Sequence, residues 1–326
     1  MGRAAKVGKG GLHAFWLTAV AIVRRDKKLL TNLTFFWILA ILFLPIALFP
    51  GWFGEMLAKV LAYPILRISR TDKRITRNLD LLFGEGHGVD PHQIGLSMAR
   101  EYVGIARNKF SSPEAILRRY ILTDSARDFA TEWEGGQDMI LISGHFGRPQ
   151  DAVSALAAVG VSFFVPTEPL QPGEYSDLVN WLRQPPRCSY EPISSVTVLK
   201  ARRYMRGPDR LMPGFLFDRV PKGSGRLYRF CRANNEFGLG PALLARKTGA
   251  YVYFGVAVDE GIGKPAIHID GPIVPQVTDD EAADIDYITT RLIAYYEAWV
   301  RQYPEQLIGA AQMRILSDEE VESTVH

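Results

Sequence analysis

A histidine exchanges protons near neutral pH, so what it can do depends on where the backbone presents it. His145 stands in Met139-Ile-Leu-Ile-Ser-Gly-His145-Phe-Gly-Arg-Pro-Gln150-Asp151, followed by the alanine-rich run Ala152-Val-Ser-Ala-Leu-Ala-Ala-Val159. The pattern predicts a buried strand, a tight turn carrying His145, and a helix packed back on the sheet. In open α/β sheets, ligands gather just outside the carboxyl ends of strands, which is where this turn falls. The chemistry open to it is general-base catalysis, with Asp151 shortly after and Asp218 at the end of a later strand as carboxylates to steady the ring. A turn histidine with no chemical role would leave the same local pattern.

Other chemistries are poorly served. The chain has no Gly-x-Ser-x-Gly elbow and no phosphate-binding Walker loop. Gly261-Ile-Gly-Lys264 lacks the required preceding spacing, and Gly238-Leu-Gly240 lacks the third glycine of a dinucleotide site. His13, His87, His92, His145, His268 and His326 show no metal-ligand pairing. Cys188 and Cys231 form neither a ligand cluster nor a disulfide framework, so no metal and no tightly held cofactor is expected. A net charge of +3 over 326 residues gives no argument for nucleic acid, and 47% hydrophobic content is ample for a large core.

The elements that must position His145 divide the chain unevenly. Residues 1–28 are a basic, flexible N-terminus, and residues 29–54 are a charge-free apolar span read as a membrane-anchor helix. Pro45 and Pro50 interrupt it, and Arg67, Arg70, Lys73, Arg74 and Arg77 follow it. Positive charge on both flanks suits a helix dipping into one leaflet, although the span is long enough to cross. A buried core helix would give the same apolar run. Residues 55–136 form a helical lead-in, with Ile94, Met98, Tyr102 and Ile105 expected on one inward stripe. Residues 137–316 alternate strand and helix, an α/β domain with a mixed sheet flanked by helices. Residues 317–326 are expected to be a loose acidic tail.

Several segments in order carry a family likeness. His145-Phe-Gly resembles the opening of the His-x4-Asp/Glu motif of the lysophospholipid acyltransferase superfamily, and the nearest likeness is to the bacterial lipid A late acyltransferases (lauroyl/myristoyl transferases). Arg77-Asn-Leu-Asp-Leu-Leu-Phe83 is similar to that family's Asn-Leu-x-x-x-Phe segment. Phe217-Asp218-Arg219 stands where it has Asp-Gln, and Leu243-Leu-Ala-Arg-Lys-Thr-Gly-Ala250 resembles its alanine/arginine/threonine/glycine helix. Trp299-Val-Arg-Gln-Tyr-Pro-Glu-Gln306 is similar to its Trp-x-x-x-Tyr-Pro-Glu-Gln ending. The resemblance implies a glycerolipid acyltransferase-like fold at the cytoplasmic face of a bacterial inner membrane. It implies acyl transfer from acyl carrier protein or acyl-CoA, as co-substrate, to a hydroxyl or amine of a lipid or glycolipid acceptor, with His145 as base. Arg148 and Arg219 are candidates to grip phosphate on acceptor or donor, and Lys222 and Arg226 to meet an acidic carrier protein.

Two departures qualify what is implied. Four residues intervene between His145 and Gln150, so a glutamine holds the motif's acid position. Asp151 replacing it through a one-residue shift is the favoured account, with Asp218 supplying the charge in reserve and Gln150 orienting the ring without charge also open, as is a member that has lost catalysis and binds lipid or a partner enzyme as a scaffold. Pro166-Thr-Glu168 occupies the place of the family's arginine, which implies a different acceptor headgroup from that of lipid A.

Overall fold

The computed structural model describes residues 51–69, 71–168, 173–194, 196–220, 224–261 and 263–325. Residues 1–50, which include nearly all of the expected anchor, and Lys222 lie outside the described residues. Among the described residues, no helix is long and apolar enough to cross a membrane.

The chain enters through α1 (Gly51–Ser69), α2 (Thr71–Phe83), α3 (Pro91–Lys109) and α4 (Pro113–Leu117). Proline at the first helical position and a capping side chain start two of these, Asp90 before α3 and Ser112 before α4. Strand β1 (Ile121–Leu122) and helix α5 (Asp124–Glu134) precede the central unit, β2 (Met139–Ser143) and α6 (Pro149–Ala158). Then come β3 (Phe163–Thr167), α7 (Gly173–Arg183), β4 (Ser189–Pro192), α8 (Thr197–Arg206) and β5 (Met212–Leu216). A hairpin of β6 (Arg226–Phe230) and β7 (Ala233–Phe237) leads to α9 (Gly240–Thr248), which stops at Gly249 in the left-handed conformation. Strands β8 (Tyr251–Val258) and β9 (Ala266–Ile273), the long α10 (Glu281–Gln302), two 3-10 turns (Pro304–Gln306 and Ile308–Ala311) and α11 (Asp318–Val325) close the fold.

Seven strands form one sheet in the order β1-β9-β8-β2-β5-β3-β4. All neighbouring pairs run parallel except β8 with β9. The fold is therefore a mixed α/β architecture with a mostly parallel sheet covered by helices. The central strands β2 and β8 are apolar on both faces because both are buried. Ile140 and Ile142 of β2, with Val252, Phe254 and Val256 of β8, join α9 and α10 in one core. Met139 and Leu141, with Tyr253 and Ala257, join Ala152, Ala155 and Leu156 of α6 in the other. That two-residue alternation is the strand period read out in packing.

Three expectations change. The acidic tail is helix α11, held by Arg229 to Asp318 at 2.6 Å and by Arg77 to Glu320 at 2.5 Å. Tyr102 is exposed, so the inward stripe of α3 does not run through it. The stretch Pro221-Lys-Gly-Ser-Gly-Arg226 reads in sequence as a flexible basic loop, but Arg226 belongs to strand β6 of the hairpin.

The turn after β2 passes so close to β8 that a side chain cannot fit. Gly147 has φ +61, and a Cβ there would lie 2.2 Å from the Ala257 carbonyl oxygen. Gly147→Ala is expected to lower stability by roughly 3 kcal/mol in urea unfolding, strain and backbone clash adding. A loss below about 0.5 kcal/mol would show that the turn relaxes freely.

Candidate active site

Strand register brings the catalytic candidates together. Ser143 pairs with Leu216 in the parallel ladder of β2 and β5. Two residues further along each chain stand His145 and Asp218, side by side at the carboxyl end of the sheet. The Asp218 carboxylate is fully buried and accepts three hydrogen bonds. His145 Nδ1 lies 2.8 Å from Oδ1, and the His145 backbone N–H donates to Oδ2 at 2.7 Å. The Tyr296 hydroxyl of α10 also donates to Oδ2, at 2.8 Å.

Burial alone would push the Asp218 carboxyl up, but the charge of His145, its two hydrogen bonds and Tyr296 outweigh that. The group is held below the usual carboxylate range and is ionised at neutral pH. An ionised carboxylate can only accept, so Nδ1 carries a proton, and in the neutral form of the ring Nε2 is the nitrogen with the lone pair. Nε2 has no hydrogen-bond partner among the described residues, and the side chain is 25% exposed. A base supported from behind and open in front can take a proton from an incoming hydroxyl or amine.

The other candidates are placed as follows. Asp151 turns away from His145 toward α3, accepting from Asn108 Nδ2 at 2.8 Å, with Arg148 Nη1 3.7 Å from its other oxygen. Gln150 donates to the Arg183 carbonyl at 2.7 Å and to the Tyr190 hydroxyl at 2.5 Å. Neither hydrogen-bonds His145, so the preference for Asp151 is corrected in favour of Asp218. The reason is helical: both residues lie in the first turn of α6, whose polar side is buried against α3 and the loop before β4. Arg148 lies between Asp151 and Asp259, 3.8 Å from the latter. Arg219, beside Asp218 in sequence, pairs with Glu168 and donates to Gln312. Arg226 is tied to Asp286 of α10, on the hairpin.

Sequence reasoning missed the groups that hold the site. By spacing alone, Tyr296 is one more core aromatic on the α10 stripe of Ile285, Ile288, Leu292, Tyr296, Trp299 and Tyr303. It reaches Asp218 because Gly144 has no side chain, since a Cβ there would sit 2.4 Å from the Tyr296 ring. The Gln306 backbone carbonyl accepts from Gly147 N–H at 2.8 Å, while its side chain bonds both the N–H and the carbonyl of Asp259. The Gly309 N–H donates to the His145 carbonyl at 2.6 Å. Asn78, fully buried, donates to the carbonyls of Ala310 and Met313 and fixes that segment in turn.

Glu101 of α3 adds a second buried carboxyl behind the turn, accepting from the Gln150 N–H at 3.0 Å at the start of α6. Burial pushes it up to about 8, with nearby Asp151 adding to the rise. Asp151 is raised as well, to about 6, burial outweighing Arg148. Cys188 and Cys231 are buried thiols, pushed by burial to about 11 and about 12, too high to supply a thiolate nucleophile. Among the described residues, no three metal-ligating side chains cluster. No protein-family model matches the chain, and no curated protein matches it.

Glu101 sets a pH signature. The folded state keeps its proton up to about pH 8, while an ordinary glutamate loses it near 4.5, so the folded state binds more protons in between. Stability therefore falls as pH rises through that window. Glu101→Gln, which can still accept from Gln150, is expected to flatten the fall, gaining roughly 1–2 kcal/mol relative to the parent near the top of the window. Urea midpoints measured across it give the comparison, and parallel curves for the two proteins would place the titration elsewhere.

Proposed function

We propose that the protein is a membrane-associated acyltransferase that moves an acyl chain from a thioester donor, acyl carrier protein or acyl-CoA, to a hydroxyl or amine of a lipid or glycolipid acceptor. The observation that carries the reading is the His145–Asp218 pair at the carboxyl end of β2 and β5, with Nε2 open. The sequence resemblance to the lipid A late acyltransferases adds the substrate class. Further support comes from α1, where Trp52, Met56 and Val60 are exposed four residues apart. That spacing makes one apolar stripe, suited to lying against a lipid surface. On this reading the protein works at the cytoplasmic face of a bacterial inner membrane.

Nε2 takes the proton as the acceptor oxygen or nitrogen attacks the thioester carbonyl. The resulting imidazolium is stabilised by the Asp218 carboxylate. Collapse of the tetrahedral intermediate breaks the carbon–sulfur bond, and the leaving thiolate takes the proton back from the ring. The developing oxyanion needs a donor. The backbone N–H groups of Phe146, Gly147 and Arg148 already donate to the carbonyls of Gly144, Gln306 and Ala257. A basic side chain is thus the better candidate, and Arg219 is the cation next to Asp218.

The test is transfer of a labelled acyl chain from carrier protein or CoA into a lipid extract. His145→Ala is expected to abolish it, and Asp218→Asn to lower the rate by roughly 10⁴, the scale seen when a triad aspartate becomes asparagine. Asp151→Asn and Gln150→Ala are expected to retain most of the rate. Folded protein that never transfers acyl groups would sink the proposal in favour of a lipid-binding scaffold, and an active His145→Ala variant would sink the role of His145 as base. Release of free fatty acid without acceptor would make it a hydrolase instead.

A further inference from the structure

Between α2 and the segment that follows the second 3-10 turn lies a cavity of about 600 Å³. Its wall includes Lys73, Arg74, Arg77, Gln312, Met313 and Arg314, four of them cations, and no acidic residue. Two of the four charges are matched. Arg77 donates to the Ile315 carbonyl at 3.1 Å and pairs with Glu320, and Arg314 lies 3.7 Å from Glu236. Lys73 and Arg74 are exposed and have no partner among the described residues.

Lys73 and Arg74 face like charge from each other and from the other cations of the wall, and an anion in the cavity would turn that repulsion into attraction. The far wall is the segment that braces the catalytic turn: Met313 N–H donates to Gly309 O at 2.7 Å, and Gly309 N–H to His145 O at 2.6 Å. Gln312 accepts from Arg219, the neighbour of Asp218. The cavity is also far roomier than a bare phosphate needs, so it suits a phosphate carried on a larger molecule.

We propose that this cavity binds the phosphate group of a substrate, with Lys73 and Arg74 as its charge partners and Arg77 and Arg314 forming its basic wall. The proposal rests on the acyl-transfer reading, since it gives the phosphate of that reading's substrate a place to bind. The phosphate comes either from the headgroup of a lipid acceptor or from a CoA-type donor.

Calorimetric titration of the full chain in neutral detergent distinguishes the two sources. The probes are lysophosphatidic acid for the headgroup, CoA for the donor, and lysophosphatidylcholine as zwitterionic control. Binding of lysophosphatidic acid assigns the acceptor, and binding of CoA the donor. In either case the Lys73→Gln/Arg74→Gln double variant is expected to weaken it at least roughly tenfold, the scale of one charge-assisted hydrogen bond. The same variant is expected to raise KM for that substrate while leaving kcat nearly unchanged. If neither phosphate probe binds, or the double variant binds as tightly as the parent, the cavity is not a phosphate site. His145→Ala is expected to bind the probe normally while losing transfer. A failed cavity proposal thus leaves the transfer assay unaffected, and a failed transfer reading leaves the binding result intact.

Discussion

A carboxylate with no water around it is the constraint on which the rest of this structure depends. Leaving Asp218 charged inside the protein would cost several kcal/mol unless donors replaced its hydration. Three do so: the ring and backbone of His145, and the Tyr296 hydroxyl. Each comes from a different requirement. The β2/β5 register delivers the histidine, the turn at Gly144 leaves room for the tyrosine, and the packing of α10 against the sheet supplies it. Losing any of the three strands a buried charge, so the same contacts serve stability and orient the base.

The strand–turn–helix around His145 was legible because its signals are local: apolar residues into a glycine, then an alanine-rich run. The choice of its carboxylate was not. Asp151 is close in sequence, but the start of α6 turns it toward Asn108, whereas Asp218 lies 73 residues away and becomes the partner only because β5 inserts beside β2 with β3 further out. Strand order of that kind leaves no trace in periodicity. Tyr296 was hidden for the opposite reason, since a buried tyrosine at helical spacing reads as core whether or not its hydroxyl has a task.

Segments singled out as family-like prove to share a mechanical role. Asn78 holds the carbonyls of Ala310 and Met313, Gln306 clips the turn at Gly147 to the end of β8, and Gly309, just past the quoted segment, grips the His145 carbonyl. Arg246 of the alanine-rich helix bonds Asp284 of α10 at 2.8 Å, steadying the helix that carries Tyr296. The short edge strand β4 and the hairpin β6–β7 escaped notice, the first for its prolines and the second because its first strand is mostly exposed and lacks an apolar face. The acidic final segment has few apolar residues, and its helix is anchored by ion pairs to distant arginines that composition cannot reveal.

The bracing of His145 from residues 296–309 has a consequence for timing. During synthesis the imidazole emerges about 150 residues ahead of Tyr296, Gln306 and Gly309. Until they arrive, the aspartate lacks one of its donors and the loop has nothing to press against. The braced histidine is therefore complete only once all of residues 296–309 have left the ribosome.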